Sequence, residues 1–141
     1  MIDIQNYLLT SVRAAFTAAG KTVKVVSGYY ANLPELPCVE IIQTSNTTYA
    51  RTQDDALMEH HASVSFQIDV WTDNKSKSKS AAKELFAIAD EAMQLMKFTR
   101  TDYDEDVAID RTMSRVTGLY RAVVGAPQMV DGKKVYQIFR S

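Results

Sequence analysis

Few residue types in this chain can do chemistry, and they are widely spaced. His60 and His61 stand side by side. On a strand, neighbouring side chains point to opposite faces, so adjacent imidazoles do not converge on one ion. No cysteine or carboxylate sits beside them at a metal-ligand spacing, and a structural role is expected for both. Cys38, the single cysteine, can be imagined as a nucleophile with a distant histidine. Its flank Pro37-Cys38-Val39 supplies neither a helix N-terminus nor a basic neighbour to lower the thiol pKa, so a buried core cysteine is expected instead. Lys75-Ser76-Lys77-Ser78-Lys79-Ser80 precedes a helical pattern, where free N–H groups attract anions. It has no glycine to let the backbone wrap a phosphate, and a solvated basic turn with a serine N-cap is the simpler reading. The run Asp102-Tyr103-Asp104-Glu105-Asp106 lacks calcium-loop spacing and reads as a solvated loop, or as an acidic surface for another subunit. No catalytic, metal or cofactor-binding residue is therefore expected.

The elements that would position these groups fit in one domain spanning 1–141. At 46% hydrophobic residues the chain has material for a single core. Sixteen basic and 17 acidic side chains give a formal charge of -1, which argues against a general electrostatic grip on nucleic acid or on an anionic membrane. No apolar run approaches the ~20 residues that span a bilayer. The start Met1-Ile2-Asp3-Ile4-Gln5 does not resemble a secretion signal. One cysteine cannot form an intramolecular disulfide, and the expectation is a protein of the reducing cytosol.

The central stretch is Ala62 to Met96. Ala62, Val64, Phe66, Ile68 and Val70 alternate with Ser63, Ser65, Gln67, Asp69 and Trp71, as a strand with one buried face requires. Leu85, Ile88, Ala89, Ala92 and Met96 then continue the core stripe at helical spacing. Before it, Tyr7, Leu8, Val12, Ala15, Phe16 and Ala19 mark a first helix, with Asp3 as N-cap and Gly20 as stop. Thr22–Val26 reads as an edge strand, and Cys38–Ser45 as a second strand running on toward Tyr49. The polar segment from Tyr49 to Glu59 reads as an arm that orders against a partner.

After the second helix, Thr112–Val124 reads as a strand with two mixed parities. A bulge near Gly118, or burial of both faces at a subunit contact, would explain the mixture. Asp131-Gly132 signals a hairpin, with Val135–Arg140 pairing back as the last strand. The expected fold is α+β: a mainly antiparallel sheet of four to five strands with two helices packed on one face.

Taken together, Phe66-Gln67-Ile68-Asp69-Val70-Trp71-Thr72, the Lys/Ser turn, an Ala-rich amphipathic helix, Phe98-Thr99-Arg100-Thr101 and the strand from Arg115 to Val124 carry a family resemblance. The chain resembles the tail-terminator (tail-completion, minor capsid) proteins of long-tailed bacteriophages and prophages. The likeness runs from the N-terminal helix through Val124 in short degenerate motifs. It implies a small α+β subunit that forms a ring, usually a hexamer, on the last ring of the major tail-tube protein. Such a ring stops tube growth and presents a surface to the head–tail connector or stopper protein. The resemblance brings no catalytic residues. It implies a virion location at the tail neck after assembly in the host cytoplasm, with DNA passing through the ring and no sequence-specific nucleic-acid contact.

Separate basic and acidic segments on a nearly neutral chain suit the unlike surfaces that meet in a ring. Arg51, Asp54 and Asp55 of the arm and Lys75, Lys77 and Lys79 of the turn are the candidate contacts, and the Tyr49-to-Glu59 arm and the Gly125-to-Lys134 hairpin are expected to reach the tube or the connector. Gln67, Asp69 and Trp71 join them, because their parity is expected to face outward and an exposed tryptophan suits a neighbour. Other neck or tail-completion roles share this pattern. A ligand-binding domain would instead show a pocket between sheet and helices, and a small enzyme would use His60 or His61.

Overall fold

The computed structural model describes residues 1–28, 36–48, 61–73, 78–106 and 113–140; the side chains of residues 78, 79, 106 and 113 lie outside that description. Within those limits the order is α1 (Gln5–Ala18), β1 (Lys24–Ser27), β2 (Cys38–Thr48), β3 (His61–Asp73), α2 (Ser78–Leu95), β4 (Thr99–Asp106), β5 (Met113–Gly125), β6 (Gln128–Val130), β7 (Lys133–Val135) and β8 (Ile138–Phe139). Six strands form one sheet in the order β1-β2-β3-β5-β4, with β8 also pairing β5. Every pairing is antiparallel except β1 with β2, which is parallel. The fold is thus α+β as expected, with a mixed rather than purely antiparallel sheet.

Strand β3 is the centre of the fold. Its predicted inward set, Ala62, Val64, Phe66, Ile68 and Val70, is completely buried. From β5 the same face receives Val116, Tyr120, Ala122 and Val124, which are also buried. Fully burying one such side chain contributes about 1.5–3 kcal/mol, so this parity alone gives β3 a single allowed register. Helix α2 lies across β3, β5 and β4, while α1 packs on α2 and β1. The α2 stripe is wider than its predicted five residues: Ala82, Phe86 and Met93 are buried, whereas Ile88 and Met96 are only partly so. A helix lying on a sheet needs an apolar sector of about 100° or more, and Ala82, Phe86 and Met93 fill it out.

Both helices stop by the same device. Gly20 (φ 71°) sends its N–H to Thr17 O while Lys21 N–H reaches Phe16 O, the paired closure that a left-handed residue allows. Lys97 (φ 70°) does the same after α2, with Lys97 N–H to Gln94 O and Phe98 N–H to Met93 O. Phe98 is then turned into the core, where its ring meets Phe66 edge-on at 6.0 Å. At the start of α1, the Asp3 carboxylate accepts Gln5 N–H at 3.1 Å, but Ile4 occupies the N-cap position.

Three expectations change. The acidic run is an edge strand, β4, and not a solvated loop. Period two divides its charge: Tyr103 and Glu105 face α2, where Tyr103 stacks on Phe86 at 5.1 Å and Glu105 pairs with Lys83 at 3.1 Å. Asp102 and Asp104 take the other face, and each carboxylate accepts the N–H of the residue after it. Dividing the charge in this way lets an acidic sequence pair as a strand.

Gly118 is not bulged, since β3 and β5 stay in register through it. The irregularity lies in β4, between Arg100 and Asp102. Glycine is needed at 118 because a Cβ there would stand 2.6 Å from Phe86 Cζ. The terminal hairpin forms at Asp131-Gly132 with both residues at positive φ, matching the twist of its strands. Its β6 and β7 make a separate two-stranded sheet, and the chain then returns as β8 to β5, so Val135–Arg140 is not one continuous strand.

Candidate functional site

The face of the sheet opposite the helices is where sequence reasoning placed a recognition surface. Cross-strand register sets Val26, Glu40, Asp69, Thr117 and Asp104 in one row across β1, β2, β3, β5 and β4. Asp69 does not face solvent as expected; it is 1% exposed. Its carboxylate accepts Gln67 Nε2 at 3.0 and 3.1 Å, and Thr117 Oγ1 donates to Oδ1. Burial of this carboxylate is tolerable because these donors replace the lost water. A carboxylate held by two neighbours positions strands and is poorly placed to act as a base.

Trp71 is half-buried rather than exposed, and its indole N–H is buried without an acceptor among the described residues. The Arg115 guanidinium lies over its ring at 5.5 Å, where the ring's negative face attracts the cation. Of the predicted contacts on this strand, Gln67 and Trp71 are half-buried and Asp69 is buried. Gln67 borders a shallow cleft of about 130 Å³ with Asp102, Asp104, Thr117 and Leu119. Arg51, Asp54, Asp55, Lys75 and Lys77 lie outside the described residues, as does the Lys79 side chain, although the Lys79 backbone belongs to α2.

The chemistry-bearing residues have structural surroundings. Cys38 is fully buried, and desolvation first, then the nearby Glu40 carboxylate, pushes its thiol up to about 11. That thiol is protonated at neutral pH and is a poor nucleophile. The His61 ring packs against Phe139 at 5.7 Å, with Gly125 opposite it in the ladder; His60 lies outside the described residues. On the helix side, Tyr120 donates to Asp90 at 2.6 Å and Arg100 pairs with the same Asp90 oxygen at 3.1 Å. Desolvation, followed by the hydrogen bond to Asp90, raises the Tyr120 phenol well above its usual range. This knot ties α2 to β4 and β5. Among the described residues no group of three or more His, Cys, Asp or Glu side chains is placed to hold a metal ion, and no helix is long and apolar enough to cross a membrane.

A second surface includes the hairpin that the sequence marked for its reach; its apolar side chains and the groove beside Leu95 are what sequence reasoning missed. All six residues of β6 and β7 are exposed, and Met129 (66%), Val130 (50%) and Val135 (43%) carry large hydrophobic side chains into solvent. Leu95, the last residue of α2, is 77% exposed. It borders a groove of about 580 Å³ between the helices, floored by Ala14, Ala15, Ala18 and Ala92. A cue was present in the sequence: Leu95 falls off the α2 core stripe, and Met129-Val130 stand directly before the Asp-Gly turn. No family model matches this chain, and no curated protein matches its sequence at a significant level.

Proposed function

We propose that this protein is a structural subunit of a phage or prophage tail, a terminator that forms a ring on the last ring of tail-tube protein. In this reading it ends tube growth, offers its far surface to the head connector or stopper, and does no enzymatic chemistry. The observation that carries the proposal is large apolar side chains left outside a core that is otherwise closed. Met129, Val130, Val135 and Leu95 are exposed, while every core position of β3 is filled. Large apolar side chains concentrated on one exposed hairpin are candidates for burial against another molecule. The sequence resemblance supports the same reading, because its motifs from Phe66 to Val124 make up one contiguous block of β3, α2, β4 and β5.

Mass measurement in solution tests it, first with the protein alone and then with purified tail-tube protein. A closed oligomer, formed alone or on the tube, is the expected result. A strict monomer under both conditions overturns the reading. Electron micrographs supply a second readout: tubes grown with this protein should stop at a uniform end bearing a ring.

A further inference from the structure

A strand at the end of a sheet carries a row of N–H and C=O groups with no neighbour, ready to pair with another chain. The main sheet has two such ends among the described residues, β1 and β4. At β1, Lys24 N–H and Gly28 N–H reach Pro37 O and Ile41 O beside them, so Val25, between those two, presents its backbone to the outside. There the Arg13 guanidinium of α1 donates to Val25 O at 2.8 Å. An outward carbonyl of this edge is thus taken by the chain itself.

The opposite border is built differently. β4 covers β5 from Arg115 to Arg121, and β8 continues on the same side at Val123 and Val124, since β3 occupies the other side throughout. β8 is anchored there: Gly125 N–H reaches Gln137 O at 2.8 Å, and Tyr136 donates to Asp3 O at 2.7 Å with its ring 5.4 Å from that of Tyr7. Most of this border is therefore β4, eight residues long. In an antiparallel pair alternate residues aim their N–H at the neighbour, and those between aim theirs away. Tyr103 and Glu105 share one parity, and each spends its N–H within β4. Tyr103 N–H goes to Asp102 Oδ1 at 2.9 Å and Glu105 N–H to Asp104 Oδ1 at 2.8 Å. Both aspartates are exposed, so the rim also carries negative charge.

We propose that Asp102 and Asp104 guard the β4 edge: by occupying the Tyr103 and Glu105 N–H groups, they keep the edge from accepting a strand of a second copy. The hydrogen bonds do the blocking, and like charges add repulsion between two such edges. A guard of this kind acts on a monomer and on a ring alike, so its test does not depend on the ring reading.

Two paired variants of the full chain separate the hydrogen bonds from the charge. Asp102→Ala with Asp104→Ala removes both, whereas Asp102→Asn with Asp104→Asn keeps an acceptor oxygen at each position and removes only the charge. In sedimentation velocity the Ala pair is expected to self-associate at about tenfold lower concentration than the wild type, and the Asn pair within about threefold of it. Hydrogen exchange followed by NMR reads the edge directly. When dilute, the Ala pair should exchange its Tyr103 and Glu105 amides about tenfold faster than the wild type, and protection should return as concentration rises. Equal mass and equal exchange in the Ala pair and the wild type would overturn the guard. So would an Asn pair that associates as readily as the Ala pair, because charge alone would then be responsible.

A third change separates edge pairing from a damaged fold. Adding Glu105→Pro to the Ala pair deletes one outward donor, and proline is tolerated on an edge strand where its missing N–H faces away from the ladder. This triple variant should return toward the wild-type mass. Association that persists in it would not run through the edge, and overturns the proposal as well.

Discussion

The main sheet and the β6–β7 hairpin use the same backbone ladder and differ in what lies on it. Along β3 every second side chain is buried on the helix side of the sheet, and even the opposite parity buries Asp69. Along β6 and β7 no side chain is buried at all. A ladder hydrogen bond exchanges with water for a net gain of only about 0.5–1.5 kcal/mol, so pairing alone barely offsets the ordering of the backbone. Side-chain burial therefore decides which strands belong to the stable body of the molecule. The hairpin is held at its base and left open above, as suits a part completed by contact with another molecule.

The sharpest way to break this contrast is in the core. Phe66→Ala removes a completely buried ring that meets Phe98 edge-on, and it should cost about 3–5 kcal/mol. Urea unfolding at unchanged slope would measure the loss; a cost under 1 kcal/mol would mean the sheet is not held by this face.

High pH should act next. The Cys38 thiol is pushed up to about 11 from 9.0, so the folded state holds its proton where the unfolded chain releases it. Its contribution is complete below pH 9 and is lost as pH rises from 9 to 11, by on the order of 2–3 kcal/mol. Cys38→Ala should flatten the wild-type decline across that window. A slope identical in both proteins would assign the decline to other groups.

On the outer face, Thr117→Val deletes a donor to the buried Asp69 carboxylate and should cost about 1.5–3 kcal/mol. Gly118→Ala one residue on should cost about 1–3 kcal/mol, because the new methyl group lands 2.6 Å from a ring atom of Phe86. Phe86→Leu in the same chain should recover part of that loss. A double variant whose cost equals the two single costs added together would show that the clash is not the cause.

These sites also show how far the sequence could be read. Where burial follows a local period it was legible: the inward β3 parity, Leu8, Val12 and Phe16 of the α1 stripe and the Asp-Gly turn stand in the structure, although Ala19 of that stripe is exposed and Leu9 is buried in its place. Residues whose environment is set by a distant strand were not. Asp69 reads as a surface carboxylate until β5 brings Thr117 beside it, 48 residues away in sequence. The acidic run reads as a loop when its charges are counted together, and as a strand once Glu105 is assigned to Lys83 on one face and Asp104 to the other. The parallel pairing of β1 with β2 is a tertiary contact that no short motif encodes. The apolar groove escaped notice for a related reason: Ala14, Ala15 and Ala18 look like ordinary helix formers until α2 lies beside them.

The smallest expected effect is the one that separates the two regions most cleanly. Met129→Ser with Val130→Thr changes two exposed side chains on β6, opposite Lys134 and Lys133 in the ladder. Neither residue lies over the core, so monomer stability should move by less than about 0.5 kcal/mol. The Asp131-Gly132 turn, with both residues at positive φ, keeps the hairpin register whatever occupies these positions. Thermal unfolding at low protein concentration measures the monomer alone. The same variant at high concentration measures association, which draws on those apolar side chains. If the hairpin only decorates the surface, both measurements stay at wild type. If it is a docking element, the first stays and the second falls, because the side chains that contribute nothing to folding are the ones a neighbouring molecule would remove from water.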